Sequence, residues 1–228
     1  MNIFDIIGPV MIGPSSSHTA GALRIGRVAR KILGEMPCRA EIGLAGSFAK
    51  TGKGHGTDKA LLAGILGFKL DDERLKNSLE IAKTDGLDYS FSEIPLPKNA
   101  DGSEGHPNTA EITLTGSSGK KCIVIGASVG AGNIVIHQVN GMETVFTGNA
   151  DTLIIAHKDM PGIIAEVSTL LSWHKVNIGA FRLSRPRKGY EAVMTIEVDG
   201  LIEKDVVKAL SDLPHINSVV HLKANNND

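Results

Sequence analysis

Apolar residues recur every three to four positions over residues 22–33, which is the spacing of one face of an α-helix. This pattern predicts a helix that ends near Gly34. The residues before it are small and polar, and they read Gly-Pro-Ser-Ser-Ser-His-Thr over residues 13–19. Ser17 or Thr19 is the expected N-cap of the helix.

The same kind of pattern predicts a domain of both strands and helices over residues 1–147. Apolar and polar residues alternate, as in strands, at residues 40–44, 87–91, 112–114, 121–125, 134–139 and 143–146. Helical spacing recurs at residues 59–66 and 71–84. We expect an α/β domain with a mixed or antiparallel sheet, a short apolar lead-in over residues 1–12, and loops at residues 46–58 and 95–108.

The pattern changes after residues 147–150, which we predict to be a linker. Residues 151–223 show the order strand, helix, strand, strand, helix, strand, which is the split βαβ unit of ferredoxin-like domains. The chain as a whole is therefore expected to belong to the α+β class. The polar tail that follows, residues 224–228, is expected to be frayed.

Composition excludes several classes of function. The 228 residues carry 24 basic and 25 acidic side chains, and only 4% are aromatic, so neither nucleic-acid binding nor attraction to an anionic membrane is indicated. The chain contains neither a run of about 20 apolar residues nor a basic leader at its start. Two cysteines, Cys38 and Cys122, cannot form a disulfide framework, and we expect a cytoplasmic protein.

The polar segment at residues 13–19 favours an anionic ligand. Its hydroxyl groups precede a helix N-terminus, where free N–H groups and the helix dipole attract negative charge. His18 lies among them and can carry a proton near neutral pH. A small carboxylate substrate held by hydroxyl groups beside a histidine is one interpretation, and an ordinary serine-rich cap is the other.

Two further segments carry candidate chemistry. Residues 46–58 are rich in glycine and contain His55, but their spacing does not match a nucleotide phosphate loop. His55 is either a surface histidine or a second member of the site. His106 and Asn108, at the end of the long loop, are either functional or part of an ordinary X-Pro turn.

Four segments resemble, in the same order, motifs of the β chain of bacterial iron–sulfur L-serine dehydratase. They are Gly-Pro-Ser-Ser-Ser-His-Thr at 13–19, Thr-Gly-Lys-Gly-His-Gly-Thr-Asp at 51–58, His-Pro-Asn-Thr at 106–109 and Ser-Val-Gly-Ala-Gly at 128–132. The first domain of that family is similar to the allosteric substrate-binding domain of some phosphoglycerate dehydrogenases. One departure is Ala131, where glycine is expected; its Cβ is tolerable unless the position needs a positive φ.

The resemblance implies a subunit that helps to convert L-serine to pyruvate and ammonia, a reaction of amino-acid metabolism and gluconeogenesis. A [4Fe-4S] cluster, acting as Lewis acid on the serine hydroxyl, needs cysteine ligands that an α chain would supply, so this chain alone should be inactive. His18 and His55 are the candidates for acid–base or orienting roles, without a choice of which moves the proton, and the base could also belong to the partner. The expected substrate-binding residues are Ser15, Ser16, Ser17, Thr19 and Asn108.

The last 75 or so residues resemble an ACT domain, a small regulatory module of amino-acid enzymes. The similar residues are Asp-Met-Pro-Gly at 159–162 and Val-Asn-Ile at 176–178. In that family the two positions meet at a domain interface and can bind an amino acid. Asp159, Gly162 and Asn177 are therefore candidate effector-binding residues, and a module that binds nothing and only dimerises is the alternative.

Three other functions compete with this interpretation. The chain could be a purely regulatory subunit that senses amino acids, or a self-contained amino-acid-binding protein. A metal hydrolase would have to use His18, His55, His106 and His137, whose spacing does not support a metal site. An obligate partner would require exposed apolar surface around the serine-rich segment.

Overall fold

The computed structural model describes residues 11–98 and 102–224. Most of the apolar lead-in predicted for residues 1–12, and all but the first residue of the tail after Lys223, lie outside the described residues. The chain forms two compact units, Met1–Asn140 and Gly141–Asp228. The domain boundary that we predict at residues 147–150 stays a prediction.

The first unit contains helices at the predicted places and one in addition. Its described α-helices are α1 (Ala22–Leu33), α2 (Gly46–His55), α3 (Thr57–Leu66) and α4 (Ser78–Thr84). A π-helical segment, Ser16–Gly21, leads into α1, and a 3₁₀ segment, Glu73–Asn77, leads into α4.

The sheet of the first unit has the order β2-β1-β3-β4-β5. Its strands are β1 (Pro37–Leu44), β2 (Asp88–Glu93), β3 (Thr109–Gly116), β4 (Lys121–Gly130) and β5 (Asn133–Val139). β1 runs parallel to β2, and the other neighbours are antiparallel. The sheet is therefore mixed, as the sequence predicts.

Helices α1 and α3 cross in backbone contact. A Cβ atom at Gly26 would overlap the Leu61 carbonyl oxygen, and one at Gly64 would overlap the Leu23 carbonyl oxygen. Only glycine allows two helices to approach this closely. The apolar faces of the two helices and the sheet form the core of this unit, which includes Ile25, Leu33, Ile42, Leu61, Leu62, Ile65, Ile112, Leu114 and Ile134.

Ala131, which stands where glycine is expected, lies in the turn between β4 and β5. Ala131 adopts a φ of +51° between Gly130 and Gly132, which both also have a positive φ. The Arg24 guanidinium donates a hydrogen bond to the Gly132 carbonyl and ties this turn to α1. A Cβ is unfavourable where the backbone needs a positive φ, and residue 131 is such a position. Ala131 therefore adopts a backbone conformation that costs free energy.

The second unit begins with β6 (Met142–Phe146) and continues as the predicted ferredoxin-like domain. Its further elements are β7 (Asp151–Lys158), α5 (Ile163–Trp173), β8 (Asn177–Ser184), β9 (Glu191–Asp199), α6 (Lys204–Ser211) and β10 (Ile216–Leu222). The sheet has the antiparallel order β10-β7-β9-β8. Residues of β7 and β9 pack against α5 and α6 in one core that includes Leu153, Ile155, Val167, Leu171, Met194, Ile196, Val206 and Leu210. The predicted α+β class is confirmed.

Asp151, at the start of β7, is a buried carboxylate that joins three parts of the second unit. It accepts hydrogen bonds from the Ala224 N–H (2.8 Å), the His221 ring (2.8 Å) and the Ile202 N–H (3.4 Å). Burial alone would raise the pKa of the Asp151 carboxyl, but the Ala224 N–H, the His221 ring and the Ile202 N–H together hold that pKa below its ordinary value.

The described residues include no helix that is long and apolar enough to cross a membrane.

We predict that Asp151→Asn lowers the free energy of unfolding of the second unit by about 2–3 kcal/mol at pH 7, because charge-assisted hydrogen bonds to a buried group are lost. Since the folded-state pKa is depressed, the stabilisation is fully present above the unfolded pKa of about 4 and disappears as the pH falls through the lower folded value. Urea denaturation between pH 7 and pH 3 measures both effects. Asp212→Asn, at an exposed position after α6, is the control, and an unchanged midpoint for Asp151→Asn contradicts the prediction.

We predict that Ala131→Gly raises the free energy of unfolding of the first unit by about 0.5–1 kcal/mol, because glycine adopts a positive φ without strain. Ala49→Gly, inside α2, is the matched control and should lower the same quantity by about 1 kcal/mol. Denaturant titration of both variants against the parent chain tests the difference in sign. A loss of stability in Ala131→Gly would show that the turn is not strained.

Candidate active site

The serine-rich segment enters α1 through the π-helical turn Ser16–Gly21. The hydroxyl of Ser15 caps it, since Ser15 Oγ accepts a hydrogen bond from the His18 N–H (3.2 Å). The prediction that Ser17 or Thr19 is the N-cap is therefore wrong. Helical winding starts earlier because Thr19 and Gly21 are buried, and a Cβ at Gly21 would overlap the side chain of Ser128.

The glycine-rich segment after β1 is helical over Gly46–His55, so the loop predicted at residues 46–58 is wrong over most of its length. Gly46 turns the chain with a φ of +54°. The carbonyl oxygen of Pro107 then accepts hydrogen bonds from the Ser47 N–H (2.7 Å) and the Phe48 N–H (3.4 Å). The His106-Pro107-Asn108 segment thus supplies the cap for α2. The sequence around α2 does not reveal this cap, because the capping carbonyl belongs to a distant segment of the chain.

The imidazole of His18 lies against α2. Its Nε2 atom is 3.3 Å from Ser47 Oγ and 3.2 Å from Thr51 Oγ1. The ring centroids of His18 and His55 are 4.8 Å apart, and the ring of Phe48 contacts His18 edge to face at 5.3 Å. The two histidines proposed from sequence are therefore brought into contact.

The protonation of His18 follows from this environment. Burial, and next the neighbouring His55, lower the pKa of His18 below its ordinary value, against an opposing contribution from the Ser47 backbone. A histidine with a lowered pKa is neutral at pH 7, which is the form that accepts a proton.

Asn108 lies on the other side of the serine-rich segment, next to the end of β4. Its carbonyl accepts a hydrogen bond from the Ser128 N–H (3.0 Å), and its own N–H donates to His106 Nδ1 (3.1 Å). The described structure gives no hydrogen-bond partner to Asn108 Oδ1 or to the hydroxyls of Ser128 and Thr19, although all three atoms are buried. Buried polar atoms of this kind are available to a ligand.

A cleft of about 300 Å³ opens beside His55. Its walls are the Gly13-Pro14 backbone, the side chain of Thr19, the end of α2 and three lysines: Lys53, Lys59 and Lys76. The lysines give the cleft a positive charge that suits a carboxylate. Of the predicted substrate-binding residues, Thr19 lines this cleft, and Ser15, Ser16 and Ser17 are half-buried on the segment that leads to it.

Sequence reasoning missed Ser47 and Thr51 as partners of His18. The signal was available, since Ser47, Thr51 and His55 are spaced four residues apart and share one face of a helix. It was hidden by the glycines around them, which favour a loop.

The candidate effector residues of the second unit do not form one site within a single chain. Asp159 accepts hydrogen bonds from Arg185 (3.0 Å) and the Gly189 N–H (2.8 Å), and Gly162 caps α5 with a φ of +98°. Asn177 follows the opposite end of α5 and donates to Asp199 (2.6 Å). The 11 residues of α5 separate the two positions by about 16 Å.

The residues of this chain do not fit a [4Fe-4S] cluster. Burial raises the pKa of the Cys122 thiol to about 11, so this residue is a protonated thiol rather than a ligand. Cys38 is exposed and faces the Thr115 carbonyl. Over residues 11–98 and 102–224, no three His, Cys, Asp or Glu side chains are grouped so that they could hold a metal ion.

Comparison with known proteins agrees with the two-unit organisation. The family model described as "Serine dehydratase beta chain" matches residues 2–139, and that of the ACT domain matches residues 152–215. The chain is 44% identical to the "Probable L-serine dehydratase, beta chain" of Bacillus subtilis over 97% of both chains. It is 39% identical to the "L-serine dehydratase, beta chain" of Peptoniphilus asaccharolyticus over 91% of both.

A longer relative matches over part of its length. The chain is 30% identical to "L-serine dehydratase 2" of Escherichia coli, with 63% of this chain aligned to 35% of that protein. The family match covers more than half of the chain, and the relatives from Bacillus and Peptoniphilus align over nearly all of it. The chain therefore belongs to the serine dehydratase beta chain family and carries an ACT domain in its second unit.

Proposed function

We propose that this chain is the β subunit of an L-serine dehydratase that deaminates L-serine to pyruvate and ammonia together with an α subunit. The observation that carries the proposal is the contact of His18 with His55 and with the hydroxyls of Ser47 and Thr51 on α2. The names of the two full-length relatives supply the substrate.

Two observations support an α subunit: the cysteines of this chain are unsuited to a cluster, and the chain matches a longer relative over part of that relative's length. About 63% of this chain aligns with 35% of the Escherichia coli protein, and we assign the chemistry of that protein's remaining length to an α subunit. Cys38 and Cys122 are unsuited to a cluster, so we assign the cysteine ligands of a [4Fe-4S] group to the α subunit. Val129, next to Ser128, is 45% exposed and is a candidate contact for that partner. Free thiols fit the cytoplasm, where we propose that the assembly acts.

The substrate carboxylate is assigned to the hydroxyls of the serine-rich segment and to the lysine-lined cleft. Ser15, Ser16, Ser17 and Thr19 supply donors, and the buried amide oxygen of Asn108 supplies an acceptor for the ammonium group. Fixing both charged ends of an amino acid leaves its Cα–H and its β-hydroxyl to face the reacting groups.

The proton step is assigned to the histidine pair. One histidine takes the Cα proton, the Cβ–O bond breaks, and the histidine pair returns a proton to the leaving hydroxyl so that it departs as water; the resulting enamine tautomerises to an imine, which water hydrolyses to pyruvate and ammonia. His18 is neutral at pH 7 because its pKa is lowered, which suits a base. His55 is exposed and lines the cleft, and its ring contacts that of His18.

The ACT domain is proposed to dimerise and, in that state, to bind an amino-acid effector. Asp159 and Gly162 can meet Asn177 only across two copies, because α5 separates them within one. The outer strand β8 and the end of α5 expose Phe181 and Trp173, the latter to 80%, and apolar exposure of this kind favours association.

We predict that this chain alone forms no pyruvate from L-serine and that activity appears when it is combined anaerobically with the α subunit. His18→Ala in the reconstituted enzyme should lower kcat by about 10²- to 10⁴-fold, because a general base is lost. His174→Ala, an exposed histidine after α5, is the matched control and should keep full activity. An α subunit that turns over serine normally by itself would make this chain a regulator and remove the catalytic roles of His18 and His55.

The pH dependence gives a separate prediction. If a neutral His18 is the base, kcat/KM falls as the pH falls through the pKa of His18, which lies below the ordinary histidine value of about 6.5. The acidic limb of the pH profile should therefore lie below pH 6.5. An acidic limb above that value would assign the titration to another group.

A further inference from the structure

Thr51 is the residue of α2 that contacts both histidines. Its hydroxyl oxygen lies 3.2 Å from His18 Nε2, and its backbone carbonyl lies 3.0 Å from His55 Nδ1. The same hydroxyl is 2.9 Å from the Ser47 carbonyl and 3.3 Å from the Ser47 hydroxyl. A single residue therefore takes part in the hydrogen bonds that orient the two rings.

Counting protons assigns a direction to each contact with His18. The Thr51 hydroxyl has one proton, and its shortest contact is to the Ser47 carbonyl, which can only accept. The contact of Thr51 Oγ1 with His18 Nε2 is then a hydrogen bond only if the Thr51 oxygen accepts, which places the proton on His18 Nε2. With that proton, the Ser47 hydroxyl, 3.3 Å from the same nitrogen, accepts from it and donates to Thr51 Oγ1, so that all the contacts around Thr51 Oγ1 are satisfied together. The free lone pair of neutral His18 is consequently on Nδ1.

In His55 the proton is assigned to the other ring nitrogen, Nδ1. The Thr51 carbonyl can only accept, so His55 Nδ1 must carry the proton that it shares with this oxygen. The free lone pair of neutral His55 is therefore on Nε2. This bond spans one turn of α2, from residue 51 to residue 55, and does not involve the Thr51 hydroxyl.

We propose that Thr51 is a positioning residue that fixes opposite tautomers in the histidine pair, with His18 as Nε2–H and His55 as Nδ1–H. The nitrogens left with a free lone pair in the neutral rings are then His18 Nδ1 and His55 Nε2. The catalytic consequence rests on the proposed function, whereas the tautomers themselves are a property of this chain. Any proton that leaves the substrate for this pair must arrive at one of those two atoms.

The first test is spectroscopic and needs no activity. Long-range ¹H–¹⁵N correlation spectra of the ¹⁵N-labelled full chain, recorded above pH 7, report which ring nitrogen of each of the eight histidines carries the proton. His18→Gln and His55→Gln assign the two signals. We expect Nε2–H for His18 and Nδ1–H for His55, and the same tautomer in both residues overturns the proposal.

The second test separates the hydroxyl of Thr51 from its carbonyl. Thr51→Val removes the acceptor for His18 and keeps the carbonyl that bonds His55. The His18 Nε2 proton should exchange with water faster in this variant, and the His55 signals should stay unchanged. A change at both histidines would indicate that α2 has been disturbed as a whole and would contradict a specific role of the hydroxyl.

The third test is kinetic and uses the reconstituted enzyme with L-serine. Thr51→Val should lower kcat about ten-fold and shift the acidic limb of the pH profile, because His18 is no longer held in one orientation. Thr51→Ser keeps the hydroxyl and should stay within about two-fold of the parent enzyme. Thr84→Val is the matched control, because Thr84 bonds the Glu80 carbonyl (3.0 Å) in the same way on α4.

The outcomes are distinguishable. If the two histidines hold opposite tautomers but the assembly does not deaminate serine, the tautomer assignment stands and the proposed function is rejected. Full activity and an unchanged pH profile in Thr51→Val would overturn the positioning role, whatever the reaction.

Discussion

The first unit depends on the contact between the backbones of α1 and α3 at Gly26 and Gly64. Any side chain at these positions would push the helices apart, because a Cβ would meet the carbonyl oxygen of the other helix. The serine-rich segment precedes α1, and α2 with its histidine immediately precedes α3. The packing of these two helices thus contributes to placing His18 beside His55, whose ring centroids are 4.8 Å apart.

The polar contacts around the site are completed by a segment from elsewhere in the chain. The Pro107 carbonyl closes the N-terminus of α2, and Asn108 pairs with Ser128 at the end of β4. Without the Pro107 carbonyl, the first N–H groups of a short helix that contains three glycines would have no partner at that point, and such a helix is weak by itself. The His-Pro-Asn motif thus stabilises the helix that contacts His18, and it places the amide of Asn108 beside Ser128.

The sequence predicts those parts of the fold that are determined by local pattern. Residues 22–33 are helical because their apolar residues follow one face, and the strands and helices of the ACT domain follow from alternation and from helical spacing. Helix α2 could not be predicted in this way, since glycine disfavours a helix locally and the stabilising carbonyl is about 60 residues away in the chain. The same applies to Ser15 as N-cap, because the helix start depends on the fit of Gly21 against Ser128. The histidines of the site were found by residue type, whereas Ser47 and Thr51 were not, because their role appears only once α2 exists.

Under the proposed function, the chain supplies one half of the chemistry. It provides a histidine pair in which the pKa of His18 is lowered, hydroxyl side chains and a positively charged cleft, and its two cysteines are unsuited to iron. A protein that holds an acid–base pair at its surface gains from fixing which nitrogen is basic before any partner binds, since a ring that is free to exchange tautomers or rotate would present the wrong atom part of the time. We propose that the hydrogen bonds accepted by Thr51 impose that order within a single helix. In the proposed assembly, the α subunit then has to bring the substrate to two defined atoms, His18 Nδ1 and His55 Nε2, without reorganising the histidine pair.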